Sequence, residues 1–231
     1  MIRSVLQLII VLSWMTTSIQ SCFCGTEHPQ VQFCEAHYVL YGKVINETLI
    51  PGPRDDYYNN YATWEYTFTV IFRMKGVTER VGQDVVIETA GNDARCGVRF
   101  TVGQSYIIMG QNNTDGQKTI YNCNFHKQLG DMSPSQTFYL FSRGSYSYLR
   151  NCRRRRCKIS ENSIGCRYGD LNGGSRTASC LAKKALCQRG RRRCLWFIRP
   201  LNNKDVNFNK ENKSPIYVGF FGFPEFVSMF G

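Results

Sequence analysis

Eleven cysteines, every one of them after residue 21, constrain this 231-residue chain more than any other feature. They follow a stretch that reads as a secretory signal: one early Arg3, an apolar run through Leu6, Leu8, Ile9, Ile10, Val11, Leu12 and Trp14, then small polar residues up to Ser21. Such a segment is too short to cross a bilayer comfortably and is removed on export. In an oxidising compartment the cysteines become a disulfide framework, so the fold must bring distant cysteines together in pairs. Their odd number leaves one thiol free, paired between chains, or deprived of its partner.

Ile19 and Ser21 put cleavage directly before Cys22, while Thr16 and Ser18 offer a rival site three residues earlier. A chain that starts at Cys22 carries a free amine and a carbonyl oxygen one backbone unit apart, and the two can close a five-membered ring on a metal ion. Zinc takes nitrogen and oxygen donors, and a catalytic zinc keeps one position open. The rival cleavage would lock the Cys22 nitrogen into a peptide bond. No second apolar stretch is long enough to span a membrane, so the expected product is soluble and extracellular.

Charge divides the chain. Beyond Cys152 there are 17 Lys and Arg against 5 Asp and Glu, and the residues before it balance, so the whole net charge of +12 sits on the C-terminal third. This predicts a signal over 1–21, one domain over 22–152 and a basic cysteine-rich domain over 153–231, with different partners for the two domains. Within the first domain, 36–45 and 64–72 read as strands, the second with Trp64, Tyr66, Phe68, Val70 and Phe72 on one face at period two. Further strands are expected over 84–90, 106–110 and 119–123, with a tight turn at Asp115-Gly116 and a helix starting after Ser133 at Pro134. Mainly β structure with five short strands and flanking helices suits a small Greek-key barrel of the oligonucleotide/oligosaccharide-binding type.

The residues that open the mature chain, Cys22, Cys24, His28-Pro29-Gln30 and Cys34, together with Lys75-Gly76, Cys96-Gly97, Tyr106 to Gly110 and Cys152, resemble the tissue inhibitors of metalloproteinases. The resemblance covers the N-terminal half in order and spacing. It implies a netrin-like barrel and bridges Cys22 to Cys96, Cys24 to Cys123 and Cys34 to Cys152. It also implies a protease-binding wedge made of Cys22, Phe23, Cys24 and Gly25 beside Ala94, Arg95, Cys96 and Gly97. The Cys22 amine and carbonyl would sit on the zinc of a matrix metalloproteinase or related zinc endopeptidase, and Phe23 would enter the primary side-chain pocket. The zinc would come from the target; no cofactor of the chain's own is implied. Phe23 departs from the Thr or Ser usual in the family, which predicts an altered target spectrum. The segment 46–62, with Tyr57, Tyr58 and Tyr61, corresponds to an extended first hairpin.

The family's small C-terminal domain has six cysteines; this chain has Cys157, Cys166, Cys180, Cys187 and Cys194. A Cys180 to Cys187 bridge is expected here, with one more bridge and the odd thiol among the other three. Arg153, Arg154, Arg155, Arg156, Arg189, Arg191, Arg192 and Arg193 predict a patch for heparan sulfate or other sulfated glycosaminoglycans, salt-sensitive in its binding. A solvated basic face with no particular partner is the plain alternative. The Phe-rich tail 219–231 is neither a span nor a good helix. Asn46 and Asn112 head glycosylation motifs in loop-like contexts.

Other functions fit less well. Cys22, Cys24, His28 and Cys34 make a formal zinc set, but thiols in a secreted chain are normally bridged. No nucleophile motif, HExxH or phosphate-binding loop is present, so an enzyme is not expected, and a signal with cysteines argues against nucleic acid. A non-inhibitory netrin-like module that binds glycosaminoglycan is the main rival; a basic host-defence protein is a third reading.

Overall fold

Two barrel strands are buried on both faces, and this decides where everything else packs. The computed structural model describes residues 22, 24–25, 27–56, 60–142, 144–153, 157, 159–160, 166–169, 176–190 and 194–198. Strands β1 (Tyr38–Ile50), β2 (Thr63–Lys75), β3 (Asp84–Ala90), β4 (Ser105–Asn112) and β5 (Lys118–Thr119) form a ring. β1 pairs with β2, β2 with β3, β3 with β5, β5 with β4, and β4 returns to β1. Only the β3–β5 step is parallel. A sixth strand, β6 (His126–Gln128), adds to the outer edge of β4. The chain is thus mainly β, and the five-stranded barrel closes.

Side-chain alternation sorts β1 and β4 into two cores. Tyr38, Leu40, Tyr106 and Ile108 point into the barrel with Tyr66, Phe68, Ile87 and Phe100. Val39, Tyr41, Ile107 and Met109 point outward onto Phe33, Tyr139, Leu140, Tyr148 and Leu186. A strand covered on both sides loses its polar alternation, which is why YVLYG and YIIMG read as continuous apolar runs.

Several sequence expectations change. Phe72 does not share the barrel face with Tyr66, Phe68 and Val70. Pairing shifts from Tyr41↔Phe72 to Gly42↔Val70. Ile71 is therefore an extra residue in β2, and a one-residue bulge turns the following side chains to the opposite face. Phe72 instead meets Phe141 at 5.2 Å between ring centroids. The strand expected over 119–123 stops at Thr119, because Tyr121 to Asn124 form a turn in which the Asn124 side chain accepts from the Tyr121 amide. β1 continues to Ile50, so Asn46 lies in an exposed strand rather than a loop, while Asn112 is exposed at the end of β4.

Helices α1 (Pro29–Glu35), α2 (Pro134–Phe141), α3 (Tyr148–Arg153) and α4 (Arg176–Lys184) flank the ring. α2 begins as expected, with a capping box between Ser133 and Gln136. α1 was not expected, although His28 as cap and Pro29 in the first turn are its signature. A two-stranded sheet, β7 (Ala185–Arg189) with β8 (Cys194–Ile198), follows α4. Among the described residues no helix is long and apolar enough to cross a membrane.

Candidate functional site

Two bridges fix the first residues of the candidate wedge. Cys22 is bonded to Cys96 and Cys24 to Cys123, with Cα atoms 5.6 and 5.1 Å apart. Separations of 74 and 99 residues mean that two cross-links collect three distant segments at one edge of the barrel. The segments also bond through their backbones, the Asn122 amide donating to the Cys96 carbonyl at 2.8 Å. Cys34 bonds to Cys152, joining α1 to α3.

The loop that carries Cys96 is a rigid ridge. Asn92 caps a short 3-10 turn over Asp93–Arg95 by accepting from the Arg95 amide at 3.0 Å. The Cys96 amide returns to Asp93 and the Gly97 amide to Asn92. Cys96 is left-handed at φ 63, an uncommon state for a residue with a Cβ, held here by its bridge and these bonds. A Cβ on Gly97 would sit 2.2 Å from the Ala90 carbonyl oxygen, so only glycine lets the ridge lie on β3. Asp93, Ala94 and Arg95 are exposed. Beyond the ridge, the Arg99 guanidinium stacks on Trp64 at 4.3 Å from the ring centroid.

The His28-Pro29-Gln30 motif does not face the wedge. His28 is fully buried, and its Nδ1 accepts from the Gln30 amide, so Nε2 carries the proton and donates to the Leu181 carbonyl at 3.0 Å. Burial between Tyr168 and Trp196 pushes the imidazole pKa down to about 4. The Gln30 amide group donates to the Cys187 carbonyl and accepts from the Cys187 amide. Leu181 to Lys184 are the last four residues of α4, whose carbonyls lack partners within the helix. His28 takes the first, Gln136 Nε2 the second at 3.0 Å, Ser133 Oγ the third and the Tyr139 hydroxyl the fourth at 3.0 Å. The motif is thus a clamp between the barrel helices and the C-terminal segment.

Lys75-Gly76 is likewise structural. The Lys75 ammonium donates to the carbonyls of Phe33, Cys34 and Ala36 at 3.0, 2.7 and 2.5 Å, closing the C-terminal end of α1, and burial lowers its pKa. Gly76 has φ 60, and a Cβ there would meet the His37 carbonyl.

The C-terminal bridges differ from expectation. Cys166 pairs with Cys187 and Cys157 with Cys194, and Cys180 is free and exposed. Cys180 lies exposed on α4 while Cys187 is drawn into the buried side of β7, 0% exposed, so the two do not meet. With Cys22, Cys24 and Cys34 oxidised and both His28 nitrogens engaged, these four do not form a metal site. Arg189 is exposed at the end of β7. Phe23, Tyr57, Tyr58, Arg154, Arg155, Arg156, Arg191, Arg192, Arg193, the signal and the Phe-rich tail lie outside the described residues, as does the side chain of Arg153.

In sequence the chain is similar to known inhibitors of metalloproteinases. A family model described as "Tissue inhibitor of metalloproteinase" matches residues 20–196. Metalloproteinase inhibitor 2 of Homo sapiens is 29% identical over 154 residues, covering 66% of each chain. The Tissue inhibitor of metalloproteinase of Drosophila melanogaster is 24% identical over 184 residues, 79% of this chain and 80% of its own. Metalloproteinase inhibitor 2 of Cricetulus longicaudatus is 31% identical over 143 residues, 61% of this chain and 68% of its own. The chain belongs to the tissue inhibitor of metalloproteinase family.

Proposed function

We propose that the secreted chain inhibits zinc metalloendopeptidases of the matrix metalloproteinase class by seating its N-terminus on their catalytic zinc. The observation that carries this reading is the ridge 93–97, exposed at residues 93–95 and bonded through Cys96 to Cys22, with Cys24 bonded to Cys123 beside it. Cross-linked on both sides of residue 23, the edge loses little conformational entropy on docking. The Cys22 amine and carbonyl oxygen take the open position of the target's zinc and displace the water that would attack a peptide bond. An α-amine has a reference pKa of roughly 7.7 to 8.0 and only its neutral form binds metal, so inhibition weakens as pH falls. In this reading the primary side-chain pocket takes residue 23, and a phenylalanine there favours targets in which that pocket is deep.

The test is intact-mass and N-terminal analysis of secreted protein, followed by titration of the same sample against a panel of matrix metalloproteinases. A chain starting at Cys22 that inhibits stoichiometrically supports the reading; one starting there that is inert refutes it.

A second reading, compatible with the first, concerns sulfated glycosaminoglycans. Arg153 to Arg156 end immediately before Cys157, and Arg191 to Arg193 immediately before Cys194. These two cysteines are bonded, with Cα atoms 5.4 Å apart, so one bridge tethers both basic runs to a single point. Seven arginines so concentrated attract a polysulfated chain by Coulomb steering. Neutralising both runs should move heparin elution to much lower salt, and unchanged elution would remove the patch.

A further inference from the structure

We infer that Arg95, held against Tyr61, is a fixed cationic determinant of target choice that selects zinc endopeptidases with carboxylates on the rim of the cleft. The inference rests on the inhibitor reading above and adds a residue-level selector to it.

Arg95 immediately precedes Cys96, and therefore stands next to the bridge that leads to Cys22. Its backbone is locked by the Asn92 cap. Its side chain is also placed: Nη1 donates to the Asn60 carbonyl at 3.3 Å, and the guanidinium lies 5.6 Å from the centroid of the Tyr61 ring. The same Asn60 carbonyl accepts from Asn92 Nδ2 at 3.2 Å, and the Tyr61 amide donates to Asp56 at 2.6 Å. The residues entering β2 and the ridge thus form one surface through Asn60, with Tyr61 66% exposed on it.

A guanidinium has five N–H donors, and one of them is spent on Asn60. Among the described residues the ion pair formed is Lys118 with Glu79, and no carboxylate lies within ion-pair distance of Arg95. A cation that is preorganised, exposed and without a carboxylate partner offers its remaining donors to an incoming one, the group its planar fork fits in bidentate fashion. An arginine stacked on tyrosine also has the composition of an interface hot spot, because the ring supplies area and the fixed fork loses little entropy on contact. Ala94, the neighbour on the ridge, leaves the approach open. Charge at an interface rim acts chiefly through the association rate and its salt dependence, and so discriminates among targets that share the same zinc chemistry.

The test measures association rates of wild-type, Arg95→Glu, Arg95→Gln and Arg95→Lys proteins, all starting at Cys22. Each is tried at low and physiological salt against matrix metalloproteinases with acidic and with neutral cleft rims. Arg95→Glu should slow association with acidic-rim enzymes about tenfold at low salt and leave neutral-rim enzymes nearly unchanged. Arg95→Gln should fall between and flatten the salt dependence, and Arg95→Lys should restore it. A merely structural role for Arg95 would weaken every target equally and would leave the salt dependence alone, and that pattern overturns the inference. Wild-type-like rates for Arg95→Glu on acidic-rim enzymes also overturn it while leaving the inhibitor reading intact. A wild-type chain that inhibits no member of the panel takes down both.

Discussion

Acidification should loosen the clamp at His28, and the size of the effect follows from its burial. The ring is fully buried, neutral, and engaged at both nitrogens, with Nδ1 accepting from Gln30 and Nε2 donating to Leu181. A proton added to Nδ1 would face an amide hydrogen, so charging the ring breaks the helix cap. The ordinary imidazole pKa of 6.5 falls to about 4 in the fold. Between these values the unfolded chain binds the proton and the folded chain does not, so stability is full above 6.5 and is lost as pH falls toward about 4. One pH unit of separation is worth about 1.4 kcal/mol, which makes the whole effect about 3 kcal/mol. About 2 kcal/mol of this disappears between pH 7 and pH 5. His126, also lowered by burial, acts in the same direction, whereas the carboxyls of Glu27 and Glu88, raised by partial desolvation and by neighbouring carboxylates, act oppositely. Urea unfolding of wild type and His28→Asn at both pH values isolates the His28 share, because asparagine can still cap α1 but does not titrate. The variant should be less stable at pH 7 and lose about 2 kcal/mol less than wild type on going to pH 5. Equal losses in the two proteins would refute the argument.

Three further outcomes are expected. Lys75→Met should leave three carbonyls at the end of α1 without their donor and lower stability by about 1–3 kcal/mol in urea titrations; an unchanged midpoint would show that water replaces the ammonium without loss. Phe23→Gly should raise the inhibition constants for deep-pocket enzymes more than for shallow-pocket ones, and a uniform change would remove residue 23 from target choice. Alkylation of the unreduced, folded protein should label Cys180 alone, and Cys180→Ser should abolish labelling without altering stability; label on any other cysteine contradicts the pairing.

What could be read from the sequence was what depends on local pattern. DVVIETA forms β3 over the expected residues, and Ser133 with Gln136 announces α2 through the reciprocal capping box. The three bridges of the barrel were legible only through the family resemblance, since residues 74 to 118 positions apart carry no local sign of their pairing. The face of Phe72 was not legible, because a bulge at Ile71 depends on the register with Tyr41 and Gly42. Nor was the role of His28 or Gln30: their partners, Leu181 and Cys187, lie more than 150 residues away. Cys180 and Cys187 do not pair as expected, because a helix face turned to solvent and a strand turned to the core keep them apart. Arg95 looked like part of a supporting ridge; its placement on Tyr61 appears only when β2 and the ridge share Asn60.

The claim that most needs testing is that a free Cys22 amine binds the zinc of the target. One alanine placed before Cys22 converts that amine into an amide and leaves every bridge in place. Inhibition constants for the natural and extended chains, measured on one matrix metalloproteinase with heat stability as the folding control, decide the matter. The account predicts that the extended chain folds with unchanged stability and loses inhibition by at least about a thousandfold, the scale of about 4 kcal/mol of lost binding. An extended chain that inhibits as tightly as the natural one would contradict it.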